Sequence, residues 1–391
     1  MGCVDVSGVV RRKYTLSHFK RIVFVANRGY ALTSSRTSII QRFLSSGWEV
    51  IVATADDVES QKLCDLGAYL EPVIFNRGGL ALAADIGAYR RLHNIYRKWQ
   101  PALVHHFHAK PVVFGSLAAY RALGDAVQVV NTITGLGHAF ITGGLSAQMA
   151  GLGYKFALPR TAATIFQNKD DRALFYERGW VQKHQARLIT SSGVDTERFS
   201  FIDRHGRDGS RPVIVMLGRL LRQKGILEFV EVADRILQRW PEAKFLIAGE
   251  EDLVHPDAVA LEWLLKQKSV EFLGRLTDVV PVLTRADLLL FPSYREGVPR
   301  VVLEAAAMGL PTVGFNVPGV REVVSDGQTG YLVPYRDVYA LTECVTRLLE
   351  NEFLRLRMGR KARKMVADSF EVSVIEEQYF KVYRDLGLVV L

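Results

Sequence analysis

The chain has 391 residues, of which 49% are hydrophobic and 23% are charged. Since a domain typically has roughly 100–200 residues, this length predicts two or three domains. The composition excludes a disordered or collagen-like polymer. No apolar run reaches the roughly 18 residues of a membrane-spanning helix, and the basic residues at 11–13 precede a polar segment rather than the apolar core of a signal peptide. We therefore expect a cytoplasmic protein.

The three cysteines lie far apart, at positions 3, 64 and 344, and none belongs to a CxxC pair. This spacing predicts neither a disulfide framework nor a structural zinc site.

Positive charge is concentrated in the first half of the chain. The net charge is +9, and residues 1–200 carry 24 basic and 14 acidic side chains, whereas residues 201–391 carry 26 and 27. Such asymmetry favours an anionic partner, which would be nucleic acid, an anionic membrane surface or a phosphorylated substrate. The alternative is a solvated surface that serves solubility.

Short apolar, β-branched runs alternate with longer amphipathic segments along the whole chain. The predicted strands of the first half are 21–26, 49–54, 69–75, 102–106, 127–132, 163–167 and 186–191. Those of the second half are 212–217, 244–248, 270–273, 287–291, 311–315 and 331–333. Strands that are apolar throughout and alternate with helices are typical of parallel sheets covered on both faces, so we predict two doubly wound α/β domains.

The polar, glycine-containing segment 203–211 is the predicted interdomain linker. We place the domain boundaries at 1–200 and 201–370, and assign 371–391 to a C-terminal helix. Helices are predicted near 352–367 and 372–386, and the last one has the position to pack back on the first domain. Two such domains would face each other across a cleft, because ligands bind at the carboxyl ends of the strands in open α/β sheets.

One stretch, 126–154, contains six glycines and no Asp, Glu, Lys or Arg. Two interpretations stay open. The segment lies at a membrane surface or lines the path of a lipid-like acceptor, or it is a buried strand followed by a close-packed helix under the cleft.

Two strand-to-helix transitions in the second half carry groups suited to a diphosphate. After the strand 212–217, Gly218 permits close approach of a ligand, and Arg219 and Lys224 supply cations that neutralise a leaving diphosphate without a metal. After the strand 287–291, Glu296 lies in a loop and Glu304 in the following helix, with Pro299 in the first turn of that helix. The amino end of such a helix favours an anion, and carboxylates beside it accept hydrogen bonds from sugar hydroxyls.

Together with Pro318-Gly319, the run 326–334 and the Ser-Gly-Val-Asp sequence at 192–195, these residues resemble glycosyltransferase family 4. That family comprises retaining enzymes of the two-Rossmann-domain GT-B fold that use nucleotide sugars. The resemblance implies an N-terminal acceptor-binding domain, a C-terminal nucleotide-sugar-binding domain and no cofactor. The catalytic residues that it implies are Glu296, Arg219 and Lys224, and the donor-binding residues are Gly218, Leu273, Gly274, Arg275, Gly297, Val298, Pro299, Arg300 and Glu304.

The first half is similar to the bacterial branch that extends undecaprenyl-diphosphate-linked sugars, over 104–111, 131–137 and 166–171. The acceptor-side residues that this implies are Ser35, Arg36, His106, His108, Lys110, Thr134 and Gly135. The chain departs from the wider family twice. Residues 27–36 replace a Gly-Gly loop, and Thr134-Gly135 replaces a His-Gly pair.

Three histidines at 105, 106 and 108 suggest a metal site, an acceptor or donor contact, or packing. Alternation along a strand predicts that His106 and His108 share one side. No nearby cysteine or carboxylate completes a ligand set, so no metal is expected.

The sequence therefore predicts a retaining, metal-independent hexosyltransferase. It would move a sugar, such as an N-acetylhexosamine, from a UDP-sugar to a polyprenyl-diphosphate-linked saccharide, on the cytoplasmic face of the inner membrane. The alternatives are a UDP-sugar 2-epimerase of the same fold and a nucleic-acid-binding protein that uses the basic first half. Against the latter, no aromatic side chains interleave with a basic stripe.

Overall fold

The computed structural model describes residues 20–76, 82–136, 140, 143–206, 211–253 and 255–389. The basic residues at 11–13, Gly137 and 207–210 of the expected linker lie outside the described residues.

The first sheet has seven parallel strands in the order β3-β2-β1-β4-β5-β6-β7. They are β1 Arg21–Val25, β2 Glu49–Thr54, β3 Tyr69–Pro72, β4 Leu103–Phe107, β5 Gln128–Ile133, β6 Ala163–Phe166 and β7 Ala186–Leu188. The helices among them are α1 Tyr30–Thr33, α2 Thr37–Ser45, α3 Val58–Asp65, α4 Leu82–Trp99, α5 Ser116–Leu123, α6 Gly144–Ala157 and α7 Lys169–Glu177, with short helical turns at Pro111–Gly115 and Gly124–Ala126.

The second sheet has six parallel strands in the order β10-β9-β8-β11-β12-β13. They are β8 Val213–Leu217, β9 Lys244–Ala248, β10 Glu271–Phe272, β11 Leu288–Phe291, β12 Thr312–Phe315 and β13 Gly330–Val333. The helices are α8 Ile226–Leu237, α9 Leu261–Leu265, α10 Val280–Arg285, α11 Arg300–Ala307, α12 Val338–Glu350, α13 Glu352–Ser369 and α14 Val372–Asp385, with a helical turn at Arg222–Lys224.

All thirteen predicted strands are present, and the main differences are at their ends. The predicted strand 69–75 ends at Pro72, opposite Thr54, where the neighbouring β2 also ends, and the N–H of Val73 makes a hydrogen bond to the Thr54 carbonyl at 2.8 Å. Val73 and Phe75 beyond it are buried loop residues, and their burial explains why the apolar run is longer than the strand. At the sheet edge, β10 is reduced to two residues.

The last helix returns to the first domain, as the sequence predicts. Tyr379, Phe380 and Tyr383 of α14 belong to the apolar core that covers one face of the first sheet, together with Phe24 and Phe43. Helix α13 belongs instead to the core of the second sheet. The chain therefore crosses between the domains at 370–372.

A close backbone contact accompanies that crossing. Val194 donates its N–H to the Phe370 carbonyl at 2.9 Å, and Val372 donates to the Val194 carbonyl at 3.1 Å. Gly193 has a φ of +83°, and a Cβ there would lie 2.9 Å from the Val372 Cα. Glycine is required at this junction because both its conformation and the available space exclude a side chain.

Candidate functional site

The carboxyl ends of the two sheets face each other across a cavity of about 550 Å³. The first domain contributes Tyr30, Ser34, Ser35, Arg36, His108, Thr134, Gln167 and Ser192 to its lining. The second domain contributes Gly218, Arg219, Lys224, Glu296, Val298, Pro299, Arg300 and Glu304. Most of the residues singled out from the sequence therefore meet in one cleft.

Lys224 and Glu296 form an ion pair on the wall of the second domain. The Lys224 Nζ lies 2.5 Å from Glu296 Oε1, which also accepts a hydrogen bond from Ser293 Oγ at 2.6 Å. Lys224 ends the turn Arg222–Lys224, and the following Gly225 has a φ of +82°. A Cβ on Gly225 would lie 2.1 Å from the Pro292 carbonyl oxygen, so this glycine lets the two loops approach.

The backbone of Glu296 is held by the Pro318-Gly319 turn. Glu296 donates its N–H to the Pro318 carbonyl at 3.1 Å. Gly319 has a φ of +87°, and a Cβ there would lie 2.6 Å from the Glu296 carbonyl oxygen. A side chain at position 319 would therefore clash with the loop that carries Glu296, and only glycine permits this close approach.

Arg219 follows β8 and pairs with Asp252 at 2.8 Å, with its side chain 40% exposed. It therefore presents a cation at the mouth of the cleft.

Helix α11 begins at Arg300, with Pro299 at the N-cap position. This corrects the expectation that Pro299 lies in the first turn. Glu304 pairs with Arg300 one turn earlier, at 3.1 Å. Burial raises the pKa of Glu304, and the charges of Arg300 and Arg198 oppose that rise.

Arg36, on the wall of the first domain, is 1% exposed. It donates to the Ser35 carbonyl at 2.7 Å, the Tyr379 hydroxyl at 3.0 Å and Ser192 Oγ at 3.2 Å. Its guanidinium carbon lies 4.9 Å from the centre of the Phe107 ring. Among the described residues no carboxylate pairs with it.

His108 adjoins Arg36 and has a φ of +72°, which is unusual for a residue with a side chain. Burial, assisted by the charge of Arg36, lowers the pKa of His108 to about 4. Its ring is therefore neutral at pH 7.

His106 lies away from the cleft, contrary to the prediction. Its two ring nitrogens bind the Tyr96 hydroxyl at 2.9 Å and Asn131 Oδ1 at 2.8 Å inside the core. Strand β4 ends at Phe107, so the alternation that would have placed His106 and His108 on one side does not reach His108. His105 is also a packing residue and binds Thr132 and Tyr383.

Lys110 does not line the cavity, because it pairs with the buried Asp85 at 2.8 Å. Leu273, Gly274 and Arg275 follow the edge strand β10 and are also absent from the lining. Arg275 lies near the first domain, where its charge helps to lower the pKa of Glu59.

Gly135 and Gly297 contact each other beside the cavity and do not line it. A Cβ on Gly135 would lie 2.9 Å from the Gly297 nitrogen, and a Cβ on Gly297 would lie 1.9 Å from the Thr134 carbonyl oxygen. The two domains thus touch backbone to backbone at this point.

Ion pairs flank that contact. Arg295 binds the wholly buried Asp171 of α7, and Arg321 lies 3.4 Å from Asp170. Asn168 Nδ2 donates to the Gly297 carbonyl at 3.2 Å. Residues next to Glu296 are therefore anchored to the first domain.

Tyr30, Gln167 and Ser192 also line the cleft, although no sequence pattern above predicts a role for their side chains. Gln167 directly follows β6, and Ser192 lies in the loop after β7. The rule that ligands bind at the carboxyl ends of parallel strands would have singled out both positions.

The described residues contain neither a cluster of metal-ligating side chains nor a helix that could span a membrane. No group of three or more His, Cys, Asp or Glu side chains is placed to hold a metal ion. No helix in the described part of the chain has the length and hydropathy to span a membrane.

Two Rossmann-like domains that face each other across a cleft define the GT-B class of transferases. Two family models match the chain in agreement with this architecture. The model for glycosyl transferases group 1 matches residues 197–365, and the glycosyl transferase 4-like model matches residues 21–168.

Curated relatives extend the similarity over most of the chain. The N,N'-diacetylbacillosaminyl-diphospho-undecaprenol alpha-1,3-N-acetylgalactosaminyltransferase of Campylobacter jejuni is 27% identical, over 93% of this chain and 98% of its own length. The UDP-Gal:alpha-D-GlcNAc-diphosphoundecaprenol alpha-1,3-galactosyltransferase of Escherichia coli is 25% identical, over 78% and 81%.

Solved structures share the fold. Sucrose-phosphate synthase of Thermosynechococcus elongatus has a TM-score of 0.76 at 20% identity, over 94% of this chain and 99% of that chain. Anabaena Alr3699/HepE in complex with UDP and glucose has a TM-score of 0.74 at 17% identity, over 95% and 100%. The chain belongs to the family 4-like glycosyltransferases of the GT-B fold, and it is a hexosyltransferase.

Proposed function

We propose that this enzyme is a retaining, metal-independent transferase that moves a sugar from a UDP-sugar to a saccharide carried on polyprenyl diphosphate. The sugar would be one such as an N-acetylhexosamine, and the reaction would serve cell-surface polysaccharide or glycan assembly. The observation that carries the proposal is the convergence of Arg219, Lys224, Glu296 and the start of α11 on one wall of the cleft.

On that wall, the donor diphosphate would bind Lys224, Arg219 and the amino end of α11. Cations and free backbone N–H groups stabilise the negative charge that develops on a leaving diphosphate. Glu304 would accept hydrogen bonds from the ribose hydroxyls, and Glu296 would lie beside the donor sugar. No step in this scheme requires a metal.

The bonding of Glu296 supports front-face attack over a covalent intermediate. Its Oε1 already accepts hydrogen bonds from Lys224 and Ser293, which makes that oxygen a poorer nucleophile. The anomeric carbon would lose its bond to the diphosphate oxygen and gain one to the acceptor hydroxyl on the same face. The acceptor proton would pass to the departing phosphate, and the configuration would be retained.

The names of the two relatives support the acceptor class, since both act on sugars linked to diphospho-undecaprenol. The Campylobacter enzyme is matched over nearly its whole length.

Helix α6 presents a surface suited to an anionic membrane, on which such an acceptor would lie. Met149, Leu152 and Phe156 are 38%, 48% and 63% exposed and follow each other at helical spacing. The only charged residue of this helix is Lys155, and the exposed Arg160 and Arg121 lie nearby. Exposed apolar side chains beside cations, with no acid on the helix, fit the headgroup region of a bilayer that contains acidic lipids.

The test is transfer by purified enzyme from a panel of UDP-sugars to a short-chain prenyl-diphosphate-linked saccharide, in EDTA and with NMR assignment of the new anomeric centre. We expect turnover that EDTA does not abolish and a product with the donor's anomeric configuration. Glu296→Gln should lose most of the turnover, whereas Glu350→Gln, on the surface of the second domain, should behave like the wild type.

Other results would contradict specific parts of the proposal. An inverted product would exclude retention, and loss of activity in EDTA would exclude metal independence. Isomerisation of the donor without acceptor would indicate an epimerase. Thermal stabilisation by single-stranded DNA, without stabilisation by any nucleotide, would indicate a nucleic-acid-binding protein.

A further inference from the structure

Arg36 differs from the other cations of the cleft in having no acidic partner. On the opposite wall, Lys224 pairs with Glu296, Arg219 with Asp252 and Arg300 with Glu304. Within the described part of the chain, every partner of Arg36 is a neutral hydroxyl, carbonyl or ring. A buried charge without a counter-charge is costly, so an anionic ligand would relieve this cost.

Two buried nitrogens beside the cleft also lack hydrogen-bond partners among the described residues. They are Nε of Arg36 and Nδ1 of His108. Both side chains line the cleft.

Ser192 adds a hydroxyl donor at the same place. Its Oγ accepts from Arg36 Nη2 at 3.2 Å and from Gln167 Nε2 at 2.9 Å. A hydroxyl has two acceptor lone pairs and one hydrogen. Since both lone pairs are engaged, the hydrogen is left to donate, and Ser192 also lines the cleft.

We propose that Arg36, Ser192 and His108 form a second phosphoryl-binding subsite, on the first-domain wall, which takes the diphosphate of the acceptor. This inference rests on the proposed function for the identity of the acceptor. A phosphoryl oxygen accepts several hydrogen bonds, and a guanidinium binds it by charge-assisted ones. The donor diphosphate has its own cations on the opposite wall, so the anion that remains for this subsite belongs to the acceptor.

The test compares Arg36→Gln with Arg42→Gln on two acceptors, the saccharide on a prenyl diphosphate and the same saccharide as an uncharged alkyl glycoside. Arg42 is a matched control because it also anchors α14, through Glu377 at 3.2 Å and the Phe380 ring at 4.1 Å, but does not line the cleft. A thermal unfolding curve for each variant reports any loosening of α14.

We expect Arg36→Gln to raise the KM for the diphosphate acceptor by about ten- to a hundredfold. The KM for the uncharged glycoside and for the UDP-sugar should stay near the wild-type value. Ser192→Ala should raise the KM for the diphosphate acceptor by a smaller factor. Arg42→Gln should leave the KM for each acceptor near the wild-type value. An equal loss on both acceptors would show that Arg36 is only structural, and a raised donor KM alone would assign it to the donor.

A binding measurement separates this subsite from the proposed function. Inorganic pyrophosphate is titrated into the enzyme saturated with UDP, which blocks the donor site. Binding by the wild type that Arg36→Gln loses supports the subsite even if neither acceptor is turned over. Absence of pyrophosphate binding, with turnover of both acceptors at equal KM, would overturn it.

Discussion

Glu304 and Glu296 are both carboxylates of the cleft, but they have different surroundings. Glu296 is paired closely with Lys224, whereas Glu304 lies on α11, where burial raises its pKa. A buried carboxyl with a raised pKa takes up a proton at a higher pH than an ordinary glutamate. The two residues should therefore respond differently to acid.

The affinity for a UDP-sugar should fall as the pH drops toward the raised pKa of Glu304, above the usual 4.5. The protonated carboxyl accepts hydrogen bonds from ribose hydroxyls more weakly than the carboxylate does. Glu304→Gln should bind roughly tenfold more weakly at pH 7.5 and lose this part of the pH dependence. Calorimetric titration with a UDP-sugar between pH 5 and pH 8 (roughly the range in which folded proteins are most stable) measures both effects.

Glu322 is a suitable control, because burial also raises its pKa but it does not line the cleft. Glu322→Gln should keep the wild-type dependence of UDP-sugar affinity on pH.

The effect of Glu304 on the free energy of unfolding has the opposite sign to its effect on affinity. Since the folded pKa of Glu304 is raised, its contribution to stability is fully present below the unfolded pKa and is lost as pH rises through the folded value. If Glu304→Gln kept the wild-type dependence of UDP-sugar affinity on pH, the proposed contact of Glu304 with the ribose would be excluded.

At the scale of elements, α6 has two contrasting faces. Tyr154 is buried against Phe175 of α7, with ring centres 4.7 Å apart. A Cβ on Gly151 would lie 2.5 Å from the Trp180 ring. These contacts fit the close-packed helix considered from the sequence. The opposite face carries the exposed Leu152 and Phe156, and the proposed membrane contact concerns this face alone.

Replacing Leu152 and Phe156 by serine should weaken binding to vesicles that contain phosphatidylglycerol. Each apolar side chain buried in the bilayer contributes roughly 1.5–3 kcal/mol, so the double variant should bind at least tenfold more weakly. Vesicle sedimentation measures this, and high salt should weaken wild-type binding as well. Phe353→Ser, at a 72% exposed site on α13, is the control expected to bind normally. Equal binding of all three proteins would exclude α6 as the contact.

At the scale of the whole molecule, the two ion pairs that flank the Gly135–Gly297 contact between the domains differ in burial. Asp171 is wholly buried and paired with Arg295, whereas Arg321 and Asp170 are about 40% exposed. Burial raises the pKa of Asp171, and the charge of Arg295 opposes this. The Arg295–Asp171 pair therefore links the loop that carries Glu296 to helix α7 of the first domain.

Arg295→Ala should open the cleft, because it leaves a buried carboxylate unpaired at a cost of about 3–5 kcal/mol. Small-angle scattering of the UDP-bound protein should show a larger radius of gyration, and turnover should fall. Asp171→Asn in the same chain should restore the compact form. Arg321→Ala removes an exposed pair that contributes at most about 1 kcal/mol and should leave both properties unchanged. Equal radii for all variants would exclude this role of Arg295.

The sequence by itself determined the two-domain architecture and the local order of strand, loop and helix that brings Arg219, Lys224, Glu296 and Glu304 to the second-domain wall of the cleft. Local patterns suffice there, because an apolar parallel strand, the loop after it and the following helix are contiguous, so Glu296, Pro299 and Glu304 reach the cleft together. Gly218, Arg219 and Lys224 follow β8 in the same way.

Only the tertiary structure decided the wall of the first domain. His106 and His108 are two residues apart, yet one is in the core and the other in the cleft, because the strand ends between them and His108 adopts a positive φ. Arg36 meets Ser192 and Tyr379 from positions 156 and 343 residues away. No local pattern encodes such contacts, because they depend on where the crossing at 370–372 brings α14 against the first sheet.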